Sequence, residues 1–363
     1  MRSNFENLDL QLFAAGETVH STEGFVNAND PSKSTEYVAT KGSESGLSAE
    51  MKTFYDKTLI ELAGPALVFD QFGQKRPIPK GGGKTIEFRK FNALPKAMEP
   101  ITEGVTPSAS KLTVVPVTAT VDQYGDYVEL TDMIELTSVD PIVVEATKQL
   151  ADQAGRTIDT VVRNQIIGGT NVNYCPLVAA DGTETEVTSR KDITADCKLR
   201  VRDVFRAAAQ LKAMNAPTID GSYVAIIHPY VAFDLMQDAK GQWVDIQKYT
   251  DPKSVLKGEI GTLGGVRFVQ STEAKIYVGE DGGKDGCAVF CTLFLGANAY
   301  GTTDIAGGGI EHIVKQKGYG NDPLNQRSSV GWKATKVATR LVEEYMLRVE
   351  SGSSFSGTVI EAN

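Results

Sequence analysis

Apolar positions divide the chain into stretches of different periodicity. From Ala14 to Glu50 the only sizeable apolar side chains are Val19, Phe25, Val26, Tyr37, Val38 and Leu47, too few for a core of their own. Such an arm becomes ordered only by lying on another surface. Behind Ser48 as N-cap, Met51, Phe54, Tyr55, Leu59, Leu62 and Ala66 recur at helical spacing, and Gly64-Pro65 breaks that helix near its end. Residues 73–130 read as an extended β excursion. Ile86 and Phe88 share one face of Lys84–Phe91, with Thr85, Glu87 and Arg89 on the other; Val115, Val117, Ala119 and Val121 share a face of Leu112–Val121. The stretch between them is broken by Pro95, Pro100 and Pro107. The pattern predicts a long two-stranded ribbon, marginal alone, that must rest on another surface.

Asp140-Pro141 opens the strongest helix, with a capping carboxylate and proline at the first helical position. Val143, Ala146, Leu150, Ala154, Ile158, Val161 and Ile166 form its stripe, and Gly168-Gly169 ends it. That is roughly 27 residues, or ~40 Å of rod, more than twice the usual helix length, so it should act as a beam. A hydrophilic loop (Ala179–Lys191) leads into an α/β lobe. Val201, Val204, Phe205, Ala208, Leu211 and Met214 predict an amphipathic helix closed by Asn215-Ala216-Pro217. Tyr223–Ile227 reads as a buried strand, followed by a helix through Val231–Met236 and strands at Val266–Gln270 and Cys287–Leu295. The chain finishes with strand-like Ile310–Lys315, a loop at Gly318–Arg327, a β segment alternating at Tyr345, Leu347 and Val349, and a Ser/Gly-rich tail. The fold class expected is α+β.

Composition narrows the classes of function. The 363 residues are 41% apolar and 23% charged, enough for a real core in two or three structural units. With 37 basic and 46 acidic side chains the net charge is −9, which excludes wholesale coating of DNA by basic charge. No apolar run approaches the ~18 residues of a membrane span. Glu6 and Asp9 beside the short N-terminal apolar patch predict no signal peptide. Four scattered cysteines fit a reduced, intracellular protein. The charge is unevenly placed. Residues 1–50 carry three basic and eight acidic groups; residues 75–96 carry seven basic groups (Lys75, Arg76, Lys80, Lys84, Arg89, Lys90, Lys96) against Glu87; residues 97–130 carry five acids against Lys111. A solvated loop and a docking surface account equally well for the ribbon's charge.

Chemical motifs fail on spacing. Gly83-Lys84-Thr85 resembles the end of a phosphate-binding loop, but Ile78 stands where the earlier glycine is required and a strand follows instead of a helix; a turn at the ribbon's base is predicted. Gly258, Gly261, Gly264 and Gly265 do not make a dinucleotide fingerprint. Asp281–Gly286 lacks a calcium loop's ligands at Gly283 and Thr292, which leaves a turn. Cys287 and Cys291 on one strand would lie about 13 Å apart, too far for one zinc ion, so buried cysteines are predicted. His228, before Pro229, is read as a structural histidine. Gly42–Gly46 has Glu44 where a nucleophile elbow needs its nucleophile. No catalytic, cofactor-binding or metal-ligating residue is predicted, and the chain is expected not to be an enzyme.

Arm and ribbon both look unable to satisfy themselves within one subunit, which is the profile of an assembly protein. Asn7–Ala14 (NLDLQLFA) is similar to the opening of many tailed-phage head proteins. Gly261–Gln270, Asp322–Gln326 and Val330–Lys333 resemble the coat-protein family named for coliphage N-four, and the order of elements resembles the Hong Kong 97-type capsid fold. The resemblance implies an N-terminal arm (1–50), an N-terminal helix (51–72), an E-loop hairpin (73–130), a peripheral domain with the spine helix (131–196), an axial domain (197–300), and a return to the peripheral domain with a C-terminal tail (301–363). It implies a major capsid protein of a tailed bacteriophage. Such a subunit would assemble through hexamers and pentamers into an icosahedral head around double-stranded DNA, bound without sequence specificity. Scaffolding, portal and decoration proteins would be its partners, the host cytoplasm its place of assembly, and no cofactor is implied. Phe13, Phe25, Lys84, Arg89, Lys90, Lys96, Glu99 and Glu103 are the candidate inter-subunit contacts. An encapsulin-like compartment and another virion structural protein are the alternative readings.

Overall fold

The computed structural model describes residues 67–363, apart from 79–82, 92–93, 95, 99, 101–102, 105, 107–108, 139–141, 180, 240–242, 246–255, 257, 305–309, 319–321 and 360. The arm, the helix predicted behind Ser48, and the Asp140-Pro141 helix start therefore lie outside the described residues. The strands are β1 (Gln74–Arg76), β2 (Thr85–Phe91), β3 (Val114–Thr120), β4 (Asp122–Thr131), β5 (Val172–Tyr174), β6 (Leu177–Val178), β7 (Glu184–Thr185), β8 (Tyr223–Ile227), β9 (Val244–Asp245), β10 (Glu259–Leu263), β11 (Val266–Gln270), β12 (Ile276–Tyr277), β13 (Val289–Leu295), β14 (Tyr300–Thr303), β15 (Ile310–Lys315), β16 (Arg327–Lys336), β17 (Ala338–Arg340) and β18 (Met346–Ser351). The α-helices are α1 (Asp132–Thr137), α2 (Ile142–Ile167), α3 (Val201–Ala213) and α4 (Pro229–Ala239). They belong to two units, one holding Tyr124–Ala154 and Ile310–Ala334, the other Gly64–Gln123, Gly155–Gly309 and Thr335–Asn363; α2 contributes to both.

The larger unit is built on an eight-stranded sheet in the order β5-β18-β13-β8-β11-β10-β9, with β12 added beside β13. β8 and β13 are buried at every position, because they are apolar on both faces and both faces are covered. Ala225 and Ile227 point into a core with Val204, Ala208 and Leu211 of α3 and Val231 and Leu235 of α4. Val224 and Ile226, one residue out of phase, point into a second core with Val162 and Ile166 of α2 and with Phe69, Phe72 and Tyr300. Gly264 and Gly265, the glycines that failed as a nucleotide motif, both take positive φ (63° and 82°) and close the β10–β11 hairpin over the Leu263–Val266 pair. Only glycine adopts that pair of conformations without penalty.

The smaller unit pairs β15, β16 and β4 in one sheet. Buried Trp332 donates from Nε1 to Gln153 Oε1 (3.2 Å), and Gln153 Nε2 donates to Asp126 Oδ2 (2.7 Å), linking β16, α2 and β4. β4 and β16 approach closely at Gly125, where a Cβ would stand 2.6 Å from the Trp332 carbonyl oxygen.

Four placements differ from the sequence reading. The ribbon ends near Val121, since β4 pairs in the β15-β16-β4 sheet rather than prolonging the hairpin. Three of the five acids counted on its second limb, Asp122, Asp126 and Glu129, are thus on β4. The C-terminal strand, expected with the long helix outside the axial lobe, pairs with β13 over Phe290–Leu295 and with β5. With Leu347 and Val349 facing one core and Met346 the other, it is an interior strand. On α2 the buried position is Val162 (0% exposed) rather than half-buried Val161, and Val143 is exposed. Cys291 is buried in β13, whereas Cys287 is half-buried in a turn before the strand.

Candidate assembly surface

β2 and β3 pair antiparallel over seven residues, from Thr85–Thr120 at the base to Phe91–Val114. The Val121 N–H donates to the Lys84 carbonyl at the base (2.8 Å), and Gly83, at φ 89°, makes the turn predicted there. The alternation read from the sequence governs burial. Ile86, Phe88 and Ala119 are buried, while Thr85, Glu87 and Arg89 face solvent.

Among the described residues this hairpin has no other strand partner. It is attached through side chains: Ile86, Phe88 and Ala119 pack with Val337, flanked by Ile78, Val117, Val121 and Leu341. Gly301 of β14 accepts the Phe88 ring face; a Cβ there would meet Phe88 Cδ1 at 2.6 Å. Towards the far end the apolar residues lose cover. Leu94, Met98, Leu112, Val114 and Val115 are all exposed, Met98 at 81%. A run of exposed apolar side chains along one element marks a candidate interaction site.

A buried polar lock lies beside the hairpin's root. Asp70 receives hydrogen bonds from Thr302 Oγ1 (2.9 Å) and from Lys336 Nζ, which also donates to the Thr303 carbonyl (2.6 Å). Burial lowers the Lys336 pKa and Asp70 opposes that shift. Lys336 is fully buried, and a buried ammonium is tolerated only when paired and hydrogen-bonded. Tyr300 donates its phenol to the Phe69 carbonyl, and Asp159 of α2 accepts the Phe69 N–H at 2.7 Å. Burial pushes the Tyr300 phenol well above its usual pKa. The segment 67–73 is thereby held from β14, β16 and α2. None of this lock was anticipated from sequence. Asp159 does sit inside the apolar stripe between Ile158 and Val162, and a charged residue there was the available signal.

Of the candidate contacts, Lys84, Lys96 and Glu103 are exposed, Lys90 is half-buried, and exposed Arg89 pairs with Glu87 on its own strand at 3.0 Å. Phe13, Phe25 and Glu99 lie outside the described residues. Elsewhere the polar groups serve the fold. His228 packs against Tyr230 and Phe290, accepts the Tyr230 N–H on Nδ1 (3.2 Å), and is pushed by burial down to about 4. Burial pushes the Cys291 thiol up to about 12. Among the described residues no group of three or more His, Cys, Asp or Glu could hold a metal ion, and no helix is long and apolar enough to cross a membrane.

An α+β chain with a long helix, a mixed sheet and a separately packed two-stranded hairpin has the fold class of the Hong Kong 97 type, and solved structures share this fold. The capsid of Ralstonia phage GP4 matches with TM-score 0.61 at 15% identity, covering 79% of this chain and 88% of that one. The head of Helicobacter pylori bacteriophage KHP40 matches with TM-score 0.56 at 10% identity (80% and 90% covered), and the capsid of Cyanophage P-SCSP1u with 0.55 at 14% (79% and 89%). No curated protein sequence matches the chain. Residues 114–347, well over half of the chain, match the family described as phage capsid protein. The chain belongs to that family: it is a phage major capsid protein and a component of the virion.

Proposed function

We propose that many copies of this chain close, through hexamers and pentamers, into an icosahedral head around double-stranded DNA, using the hairpin to reach a neighbouring subunit. The observation that carries this is the hairpin itself. Its root is packed by Phe88 and Ile86, while Leu94, Met98, Leu112 and Val114 towards its far end are exposed. Burying such residues on a neighbour, multiplied by symmetry, drives closure through many modest interfaces. Residues 73–121 act as the E-loop, α2 as the spine, residues 197–300 with β18 as the axial lobe, and 1–50 as an arm. The role is structural and not enzymatic, with assembly in the host cytoplasm beside scaffolding, portal and decoration proteins. The acidic arm of one subunit lies against the basic limb, with Lys84, Arg89, Lys90 and Lys96, of another's hairpin. The −9 net charge of the subunit keeps packaged DNA from adhering to the shell.

The test is a tip variant, Met98→Glu with Leu112→Glu. Both side chains are exposed, so the monomer keeps its fold by circular dichroism while sedimentation shows that shells no longer form. Shells of normal yield from that variant would refute the role of the hairpin tip.

A further inference from the structure

Asp159 is fully buried on α2; its Oδ1 accepts the Phe69 N–H at 2.7 Å, and Oδ2 has no hydrogen-bond partner among the described residues. The carboxylate of Asp70, on the segment that Asp159 grips, lies close enough to act on it. The charged and titratable groups around the pair can be assigned one by one. Lys336, from the end of β16, pairs with Asp70, and Lys75 of β1 stands 3.7 Å from the other Asp70 oxygen. Arg163, one turn further along α2, acts on Asp159 only through its charge, since its hydrogen bonds go elsewhere: it donates to Asn164 Oδ1 and to the carbonyls of Glu273 and Asn363, with the Glu273 carboxylate at 4.0 Å. The Tyr300 phenol is committed to the Phe69 carbonyl. Among the described residues no cation makes a direct contact with Asp159, although two carboxylates share the site.

We propose that Asp159 and Asp70 form a proton-operated clasp that fastens the segment 67–73, and through it the root of the hairpin, to α2. With a proton on Oδ2 the Asp159 side chain is neutral and Oδ1 keeps the Phe69 N–H, so the clasp is closed. Without the proton, an ionised and partly unsatisfied carboxylate is buried beside a second one, and the segment loses its hold on the helix. Burial first, and then the Asp70 charge, raise the Asp159 pKa to about 7 against the opposing N–H groups of Phe69, Val68 and Asp70. Tyr300 keeps its proton throughout this range because burial raises it well above its usual value. Opening is therefore governed by Asp159: from the ordinary carboxylate range up to its raised midpoint the opening equilibrium grows about tenfold per pH unit, and above that midpoint it levels off. The clasp belongs to the folded chain and stands whether or not shells form.

The test is hydrogen–deuterium exchange on the full chain at pH 6 and pH 8, corrected for intrinsic exchange, at a concentration where sedimentation is the same at both. The Phe69 amide should lose about tenfold of its protection at the higher pH. In Asp159→Asn, whose amide oxygen keeps the acceptor without charge, protection should be equal at both. Equal protection in the unaltered chain, or an unchanged pH dependence in Asp159→Asn, overturns the proposal. Should that variant not fold, infrared spectra of the unaltered chain with labelled aspartate decide. A protonated carboxyl band that titrates near pH 7 supports the clasp, and the absence of any such band at pH 6 overturns it.

Discussion

Replacing Phe88 by alanine should detach the hairpin from the body without unfolding the body. Phe88 is fully buried, in a root cluster whose other buried members among the described residues are Ile86, Ala119 and Val337. Removing a buried phenylalanine ring costs about 3–5 kcal/mol, and a small cluster near the surface relaxes enough to put the loss near 3 kcal/mol. That loss falls on a two-stranded element with no other strand partner among the described residues, which is marginal once its support is gone. Neither core of the large sheet contains Phe88. At about 1.4 kcal/mol per tenfold, amides of 85–91 and 114–120 should lose roughly 100-fold in exchange protection. Amides of β8 and β13 should keep theirs. Gly301→Ala, which pushes a Cβ into the Phe88 ring, should act in the same direction, and Val115→Ala, at an exposed position, should do nothing. An equal loss in β8 and β13, or an unchanged hairpin, would refute the view that the hairpin is a separately anchored element.

Three further outcomes are expected. Lys336→Met leaves Asp70 buried without its ammonium and should cost about 3–5 kcal/mol by urea denaturation, most of it recovered when Asp70→Leu is added; a harmless single variant would contradict the lock. The folded-state pKa of His228 is lowered from 6.5 to about 4, so the folded chain binds fewer protons than the unfolded chain across that window and loses stability as pH falls through it. Against His228→Asn, the unaltered chain should lose on the order of 3 kcal/mol between pH 6.5 and 4; the comparison must be made between the two chains, because Asp159 with its raised pKa acts in the opposite sense there. Reversing Lys84, Arg89 and Lys90 to glutamate should weaken assembled shells and abolish their sensitivity to salt, and shells indifferent to both changes would sink the arm-to-limb contact.

What was legible in the sequence is what local periodicity encodes. Ile86 and Phe88 alternate with Glu87 and Arg89, so the hairpin, its buried face and its need for support could all be read from one short stretch. The long helix, β8 and β11 were equally visible. Partners distant along the chain leave no such trace. Asp70 and Lys336 are 266 residues apart, and nothing near either says that they meet. The same limit applied to β18, whose alternation announced a strand but could not say that it lies inside the eight-stranded sheet. β4 follows β3 so closely that one apolar-polar rhythm ran through both, although only pairing with β16 reveals the change of sheet. The stripe on α2 was placed one residue off at Val161 because its inward face also carries Asp159 and Arg163, which a search for apolar residues passes over.

The central claim, that this chain builds a closed shell, is tested most directly by negative-stain electron microscopy with sedimentation on the purified protein, alone and with the products of neighbouring genes. Closed shells, or hexamer and pentamer rings, are the predicted result. A stable monomer under every condition would contradict it.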